Sequence, residues 1–369
     1  MCMDFQSTLD TLKAEVEERI NQFIQTEAET PVLQEFYHDI KEHVLAGGKR
    51  LRPIAMIQTY SGFKEKDSRI IIASLSCEFV HSASLILDDA MDEDIVRHGE
   101  KTFNAIYADK IFRSMGFSFE KYLKGESWIQ KEGLLDLLYT QRSLSRYSYA
   151  MSSLASNILY FMSVKCLTES GFDYNLILKA LTFHHEMYRQ LNEGQLLDVL
   201  MEKKQVREAE YIAMVDKKSG LLFAFPIRIA ALLAGYDEPR LDSYSFPMAR
   251  GFQIHDDILG TFGGTETGKP SDSDIKEGKR TLLVIKALES GTEEQKEMLR
   301  ATLGKADASH EEVDTVRHIF KETKALDYCR KREKAFSEQA KKALESIPMK
   351  GEQKAFLGSL ADFVIEREY

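Results

Sequence analysis

From Ser7 onward, apolar side chains fall at Leu9, Leu12, Val16, Ile20, Phe23 and Ile24, in steps of three and four. That spacing predicts one buried face of an amphipathic helix, with Ser7 and Asp10 placed as a capping box at its start. The same period recurs around residues 71–95, 150–170, 175–203, 208–234, 281–290 and 352–366. Glycines punctuate the joints, at Gly47-Gly48, Gly235, Gly263-Gly264, Gly291 and Gly351. Strand-like alternation, a βαβ rhythm and a repeat of fixed period are all missing from the pattern. The expectation is an all-α chain, residues 1–369 forming a single large helical bundle around a central cavity. One stretch differs. Residues 109–148 are rich in aromatic and charged side chains, include Trp128, and read as a helical insertion leaving the bundle.

Composition narrows the picture without deciding it. Of 369 residues, 49 are Lys or Arg and 59 are Asp or Glu, a formal net charge of −10. With 43% hydrophobic and 29% charged residues, this is ordinary globular composition. An acidic chain argues against a nucleic-acid binder, which needs a basic face. No run of about 18 apolar residues stands out, so no membrane span is expected. The N-terminus lacks the basic and apolar regions of a signal peptide. Cys2, Cys77, Cys166 and Cys329 are widely spaced, which speaks against a disulfide framework and for a reducing, cytoplasmic interior.

The acids are clustered, and the clusters carry the chemistry. Asp88-Asp89-Ala90-Met91-Asp92 continues an apolar helical run that includes Phe79, Val80, Ala83, Ile86 and Leu87. On a helix, Asp88 and Asp92 stand one turn apart on one face, with Asp89 about 100° round the axis. Like charges so placed repel unless a cation joins them. Oxygen ligands without neighbouring His or Cys favour Mg²⁺ over zinc. Mg²⁺ commonly shares its shell with phosphate oxygens, so a phosphate ester is the natural substrate. A second pair, Asp256-Asp257, follows Gln253 and precedes a glycine-rich stretch from Gly260 to Gly268. Two such pairs on separate helices suit a diphosphate held through several ions. His255-Asp256 also matches the metal pair of HD-type phosphohydrolases, but no aspartate pattern around His81, His184 or His185 supports that reading.

An anionic ligand also needs cations. Gly47-Gly48-Lys49-Arg50-Leu51-Arg52-Pro53 sits at a predicted helix start, with Pro53 in the first turn. The glycines allow close backbone approach, and Lys49 and Arg52 can bracket a phosphate. Further cations stand at Arg97, Lys218, Lys269 and Lys279.

Taken together, these motifs resemble the trans-isoprenyl diphosphate synthases, the polyprenyl synthetase family, and in particular archaeal-type geranylgeranyl diphosphate synthases. The segments that carry the resemblance run in order. They are Gly47–Pro53, Glu78 to Asp92, Gly194-Gln195 with Asp198, Lys218-Ser219-Gly220, and Gln253 to Asp257 with Gly268-Lys269 and Asp274 to Thr281. The resemblance implies the isoprenoid synthase fold, a homodimer and about three Mg²⁺ ions. Asp88, Asp89 and Asp92 would serve one group of ions, and Asp256 with Asp257 the other. It implies Arg97, Lys218 and Lys269 at an allylic diphosphate, Lys49, Arg52, His81 and His98 at isopentenyl diphosphate, and Lys279 among the substrate-binding residues. Ser219, Gln195, Asp198 and Gln253 would line the region where an allylic carbocation develops. The implied reaction condenses isopentenyl diphosphate with an allylic diphosphate to a longer trans-prenyl diphosphate.

Departures from the family pattern are confined to a few positions. His98 stands where a second arginine is usual, Lys101 where proline is usual, Gly260 for the last aspartate of the second motif, and Ser153-Leu154-Ala155 for a Gly-Asp pair. Ala83 and Ser84, one turn before Asp88, are small where makers of short products often carry an aromatic ring. Geranylgeranyl diphosphate is therefore the expected product, with farnesyl or longer-chain synthases as alternatives. A terpene cyclase would have no use for the Lys49, Arg52 and His81 set, and a non-catalytic regulatory subunit would not be expected to keep Asp88, Asp92 and Asp256.

Overall fold

The computed structural model of the chain describes residues 4–24, 30–92, 94–97, 99–114, 134–263, 272–305 and 307–366, with residues 112 and 134–145 by backbone alone. Among them the chain is almost wholly helical. The order is α1 (Phe5–Phe23), α2 (Pro31–Leu45), α3 (Leu51–Phe63) and α4 (Ser68–Met91). A hairpin of two-residue strands follows, β1 (Val96–Arg97) and β2 (Glu100–Lys101). Then come α5 (Phe103–Ser114), α6 (Leu134–Thr168), α7 (Tyr174–Met201) and α8 (Glu208–Val215). A π-helical turn (Asp216–Gly220) joins α8 to α9 (Leu221–Leu233). A 3₁₀ turn (Pro239–Leu241) leads into α10 (Asp242–Phe262), followed by α11 (Ser273–Glu277), α12 (Leu282–Ser290) and α13 (Glu293–Thr302). Last are α14 (His310–Glu322), α15 (Ala325–Glu345) and α16 (Gly351–Glu366). The all-α expectation holds.

Contacts divide the chain into two compact bodies. The first comprises Met1–Arg19, Lys49–Glu78 and Val164–Tyr369. Its core is built on α10 packed along α15, with α9 against α3 and α7, and α16 against α3 and α15. Helix α9 is buried almost all round, from Leu222 to Leu233, as its apolar sequence requires. Helix starts in this body follow side-chain chemistry. Ser309 accepts from the Glu312 amide at 3.2 Å, while Glu312 accepts from the Ser309 amide at 2.8 Å, a reciprocal capping box. Thr292 and Gln295 do the same for α13.

The second body comprises Ile20–Gly48 and Phe79–Ser163. Here α2 packs on α5 through Phe36, whose ring lies 6.1 Å from Phe103 and 5.9 Å from Tyr107. The Tyr107 hydroxyl donates to Asp39 at 2.7 Å, and Lys110 pairs with Glu35 at 2.7 Å. Lys101, in place of the usual proline, pairs with Asp109 at 2.8 Å. Of the stretch expected as a helical insertion, residues 115–133 lie outside the described residues, and its two ends belong to α5 and α6.

Three expectations need correction. The periodic face of α1 is buried as spaced, with Val16 and Ile20 fully covered, but the helix begins at Phe5. Ser7 is therefore an interior residue whose carbonyl accepts from Thr11, and Asp10 accepts from Gln6 at 2.9 Å, so no capping box forms there. Helix α4 stops at Met91 rather than continuing to residue 95, because the chain turns into the β1–β2 hairpin. That same helix is long and apolar enough to cross a membrane by length and composition, contrary to the sequence reading. Its polar residues Ser74, Ser76, Glu78 and Ser82 are buried along with its apolar ones, and most of its surface is covered by protein, as in a core helix.

His184 on α7 gives a stability prediction. It is buried, with its ring edge-on to Phe225 at 5.3 Å. Burial, aided by neighbouring His185, pushes its pKa down to about 4. The unfolded chain then binds a proton that the folded one refuses between pH 4 and the ordinary value near 6.5. The His184 contribution to stability should therefore rise with pH across that window, by about 1.6 kcal/mol between pH 5 and 6.5. Denaturant titrations of the wild type and His184→Gln at both pH values check this. The wild type should gain about that much more stability than the variant over this interval.

Candidate functional site

The basic loop is shaped by backbone geometry. Gly47 and Gly48 take φ values of 74° and 85°, and Arg50, with φ 52°, also occupies the left-handed region. A non-glycine residue there is strained by about 1 kcal/mol or more, and its side chain offsets that cost. Arg50 is 5% exposed and donates to Glu78, itself 4% exposed, at 2.6 Å, and to Glu17 at 3.2 Å. Arg50 is thus a strut, while the cations on either side of it meet aromatic faces. Lys49 lies 4.8 Å over the ring of Phe363, and Arg52 lies 4.8 Å over Phe223 and 5.8 Å from Phe252. Glu78 and His81 stand one turn apart on α4, and His81 is half-buried.

The two acidic clusters share an internal logic. In the second body, Asp92 remains one turn beyond Asp88, its amide donating to the Asp88 carbonyl at 2.8 Å. Both are half-buried, whereas Asp89 is fully buried and turned to Arg97. Arg97 Nε donates to Asp89 at 2.8 Å and 3.1 Å. Burial opposes the guanidinium charge, but the Asp89, Asp88 and Asp94 carboxylates outweigh it and hold Arg97 above its ordinary pKa. In the first body, Asp256 on α10 is exposed, while Asp257 is 6% exposed and points inward. Asp257 accepts from the Tyr211 hydroxyl at 2.7 Å and from Gln253 Nε2 at 3.0 Å. Burial pushes its pKa up to about 7, against the pull of those two hydrogen bonds. The preceding His255 is buried and bonded through Nδ1 to Glu333 on α15 at 3.0 Å, which makes it a core residue rather than half of a metal pair.

The π-helical turn displays the remaining candidates. The Leu221 amide reaches back five residues to the Asp216 carbonyl, and Arg250 grips the Asp216 carboxylate with two bonds of 2.7 Å. Lys218 pairs with Asp198 at 2.6 Å, and Ser219 donates to Gln253 Oε1 at 2.6 Å. Gln195, half-buried, neighbours Gly194 on α7. Lys279 is 8% exposed and faces the carboxylates of Glu202 at 3.2 Å, Asp198 at 3.5 Å and Glu277 at 3.8 Å. His98 and Lys269 lie outside the described residues. In the second body Ala83 is buried, its carbonyl accepting from Ser156 at 3.0 Å, and Ser84 bonds the His81 carbonyl at 2.7 Å.

Gly194 is where α7 meets the π turn at backbone distance. A methyl group there would lie 2.8 Å from the Lys217 carbonyl carbon and closer still to the Lys218 amide. Gly194→Ala should therefore destabilise the fold by about 1–3 kcal/mol and lower turnover by displacing Lys218 and Ser219. Thermal melting and steady-state rates measured on the same preparation test both effects.

As a test of metal fit, the outward-facing acids are all carboxylates without nearby His or Cys ligands, the donor chemistry of Mg²⁺. Among the described residues no three such side chains converge into a self-contained shell. A cation that takes one or two carboxylates and completes its shell with water and phosphate oxygens does not need one. The residues fit Mg²⁺.

The polyprenyl synthetase family model matches residues 34–123 and 140–320. The chain belongs to the polyprenyl synthetase family. A geranylgeranyl pyrophosphate synthase of Geoglobus acetivorans is 32% identical to this synthetase over 338 residues, 90% of this chain and 91% of that one. A geranylfarnesyl diphosphate synthase of Aeropyrum pernix is 30% identical over 336 residues, covering 88% and 92%. A geranylgeranyl pyrophosphate synthase from Corynebacterium glutamicum, solved with isoprenyl diphosphate and magnesium, superposes with a TM-score of 0.84. It is 25% identical, with 97% of this chain and 99% of that chain covered. Residues 124–139, within the stretch read as an insertion, fall between the two matched segments.

The sequence reading missed Tyr211, Glu333 and Glu17. Tyr211 lies in an ordinary helical face, and only its hydroxyl sets it apart from a core phenylalanine. Glu333 sits in a charged amphipathic helix, and nothing in its neighbourhood marks it as buried.

Proposed function

We propose that this polyprenyl synthetase condenses isopentenyl diphosphate with an allylic diphosphate and releases diphosphate, giving geranylgeranyl diphosphate. The observation that carries this reading is the ordered set on α10 and the π turn: Asp256 facing outward, and Gln253, Ser219 and Lys218 held in place by hydrogen bonds. It stands in a chain that matches synthases of this kind along about nine-tenths of its length. Asp88, Asp92 and Asp256 would hold Mg²⁺, which when bound neutralises the leaving diphosphate. Lys218 and Arg97, with Lys269, would hold the allylic diphosphate. Lys49, Arg52 and His81 would hold isopentenyl diphosphate. Asp89 serves to fix Arg97, and Lys279 serves to fix Asp198. Ser219 and Gln253 turn oxygen atoms toward the electron-poor carbon as the allylic C–O bond breaks, an electrostatic role. The attacking double bond then closes the new C–C bond, and the proton lost passes to the diphosphate.

Small side chains at Ala83 and Ser84 leave room for a product longer than farnesyl. A homodimer belongs to the same reading, since Leu154 and Phe161 on α6, and Leu196 and Leu200 on α7, expose apolar surface. The experiment is incubation of purified protein with Mg²⁺, isopentenyl diphosphate and dimethylallyl, geranyl or farnesyl diphosphate. Diphosphate release and a geranylgeranyl product are expected. Absence of both with every primer overturns the reading, and a shorter or longer product overturns the chain-length assignment alone.

A further inference from the structure

We infer that Tyr211 is a positioning residue for the condensation, acting through Asp257 and Gln253 to fix which way the Ser219 hydroxyl points. The inference rests on the function proposed above and extends it to a group outside the family resemblance. Four side chains form one continuous chain of hydrogen bonds. Tyr211 Oη donates to Asp257 Oδ2 at 2.7 Å, Gln253 Nε2 donates to Asp257 Oδ1 at 3.0 Å, and Ser219 Oγ donates to Gln253 Oε1 at 2.6 Å.

The direction of every bond follows from elementary chemistry. Asp257 uses both oxygens as acceptors, Oδ2 for the Tyr211 hydroxyl and Oδ1 for Gln253, so Gln253 presents its amino group there. Its carbonyl oxygen then faces Ser219, and an oxygen acceptor obliges the hydroxyl to donate. With its proton committed to Gln253, Ser219 turns its lone pairs away from Gln253. A lone-pair face stabilises a developing cation; a hydroxyl proton in the same place would repel it.

Tyr211 is the far anchor of this chain. It is 2% exposed, and α8, which carries it, runs directly into the π turn that carries Ser219. That helix is itself pinned. Glu208 in its first turn pairs with Lys286 at 2.8 Å and Arg332 at 3.1 Å, and accepts from Tyr328 at 2.7 Å. Without the phenol, the Asp257 carboxylate keeps one donor of two and can rotate. The Gln253 amide is then no longer restricted to one of its two orientations. In the flipped orientation Ser219 accepts from the amide, and its proton swings toward the substrate.

The test uses the full-length enzyme with Mg²⁺, isopentenyl diphosphate and farnesyl diphosphate. Tyr211→Phe, Gln253→Ala, Ser219→Ala and the double variant Tyr211→Phe/Gln253→Ala are compared by kcat, by KM for each diphosphate and by thermal melting. Tyr211→Phe should lower kcat by about 10- to 100-fold with both KM values within about twofold, because no bond to substrate is lost. The double variant should be no slower than Gln253→Ala alone, since both act through one chain. A Tyr211→Phe enzyme with near-wild-type kcat, or rate losses that multiply in the double variant, overturns the inference while leaving the proposed function standing. If Ser219→Ala and Gln253→Ala themselves leave kcat unchanged, the role proposed for them fails, and the inference fails with it. Should Tyr211→Phe melt below the assay temperature, Asp257→Asn provides the second arm. It should reproduce the loss of kcat at constant KM, and unchanged kcat there overturns the inference equally.

Discussion

Asp88→Ala should reduce turnover by about 10²- to 10³-fold or more, the scale of losing one main electrostatic stabiliser of the departing group. The fold should survive, because Asp88 is half-buried at the end of α4 and its removal relieves repulsion from Asp92 one turn away. Binding of isopentenyl diphosphate should change little. The Mg²⁺ concentration for half-maximal rate should rise, and chelation of Mg²⁺ should reduce the wild type below the level of the variant. Asp89→Ala makes the contrast. Its carboxylate is fully buried against Arg97, so that variant should weaken allylic diphosphate binding and stability together. Rates across a Mg²⁺ titration, with melting curves, distinguish the two. An Asp88→Ala enzyme within tenfold of wild type would remove Asp88 from the metal site.

Glu78→Ala should cost about 3–5 kcal/mol of stability, the penalty for leaving a buried charge without its partner. Arg50 is held in the left-handed region by this bond and by the more exposed Glu17. When Glu78 goes, Glu17 alone cannot compensate the buried guanidinium. The turn that sets Lys49 and Arg52 on their aromatic rings then loosens, and KM for isopentenyl diphosphate should rise. Glu78→Leu/Arg50→Met should regain most of the stability, because an apolar pair of similar volume replaces a buried ion pair at little cost. It should not regain the KM. Urea titrations of both variants check the first claim, and steady-state kinetics the second.

The sequence made the faces of the helices legible because burial follows the apolar period directly, as Leu9, Leu12, Val16 and Ile20 illustrate. It also located both aspartate pairs, since charge at the end of an apolar run is conspicuous. What it could not reveal is the division of labour within each pair. Asp88 and Asp89, like Asp256 and Asp257, are chemically identical neighbours about 100° apart. Which one turns inward is decided by groups elsewhere in the chain, Arg97 for the first pair and Tyr211 for the second. The surroundings of Lys279 were hidden for the same reason. Its motif reads as basic, yet three carboxylates surround its ammonium group. Ser68–Met91 passed unnoticed as a span-length apolar helix because its serines and Glu78 break the run by eye. Packing, not local pattern, settles where each of these groups goes.

The π turn at Asp216–Gly220 has a consequence for how this chain can vary. It holds one residue more than an α-helical turn would, wedged between α8 and α9, which are both regular. Deleting any one residue there would let the hydrogen-bond ladder run unbroken, a gain in local geometry. It would also pull in the bulge that displays Lys218 and Ser219, carrying the Ser219 hydroxyl away from Gln253. Substitutions within the segment are therefore far cheaper than changes in its length. A lineage keeping this activity should tolerate insertions and deletions in the surface turns between α12 and α14, and keep the residue count from Tyr211 to Ser219 constant.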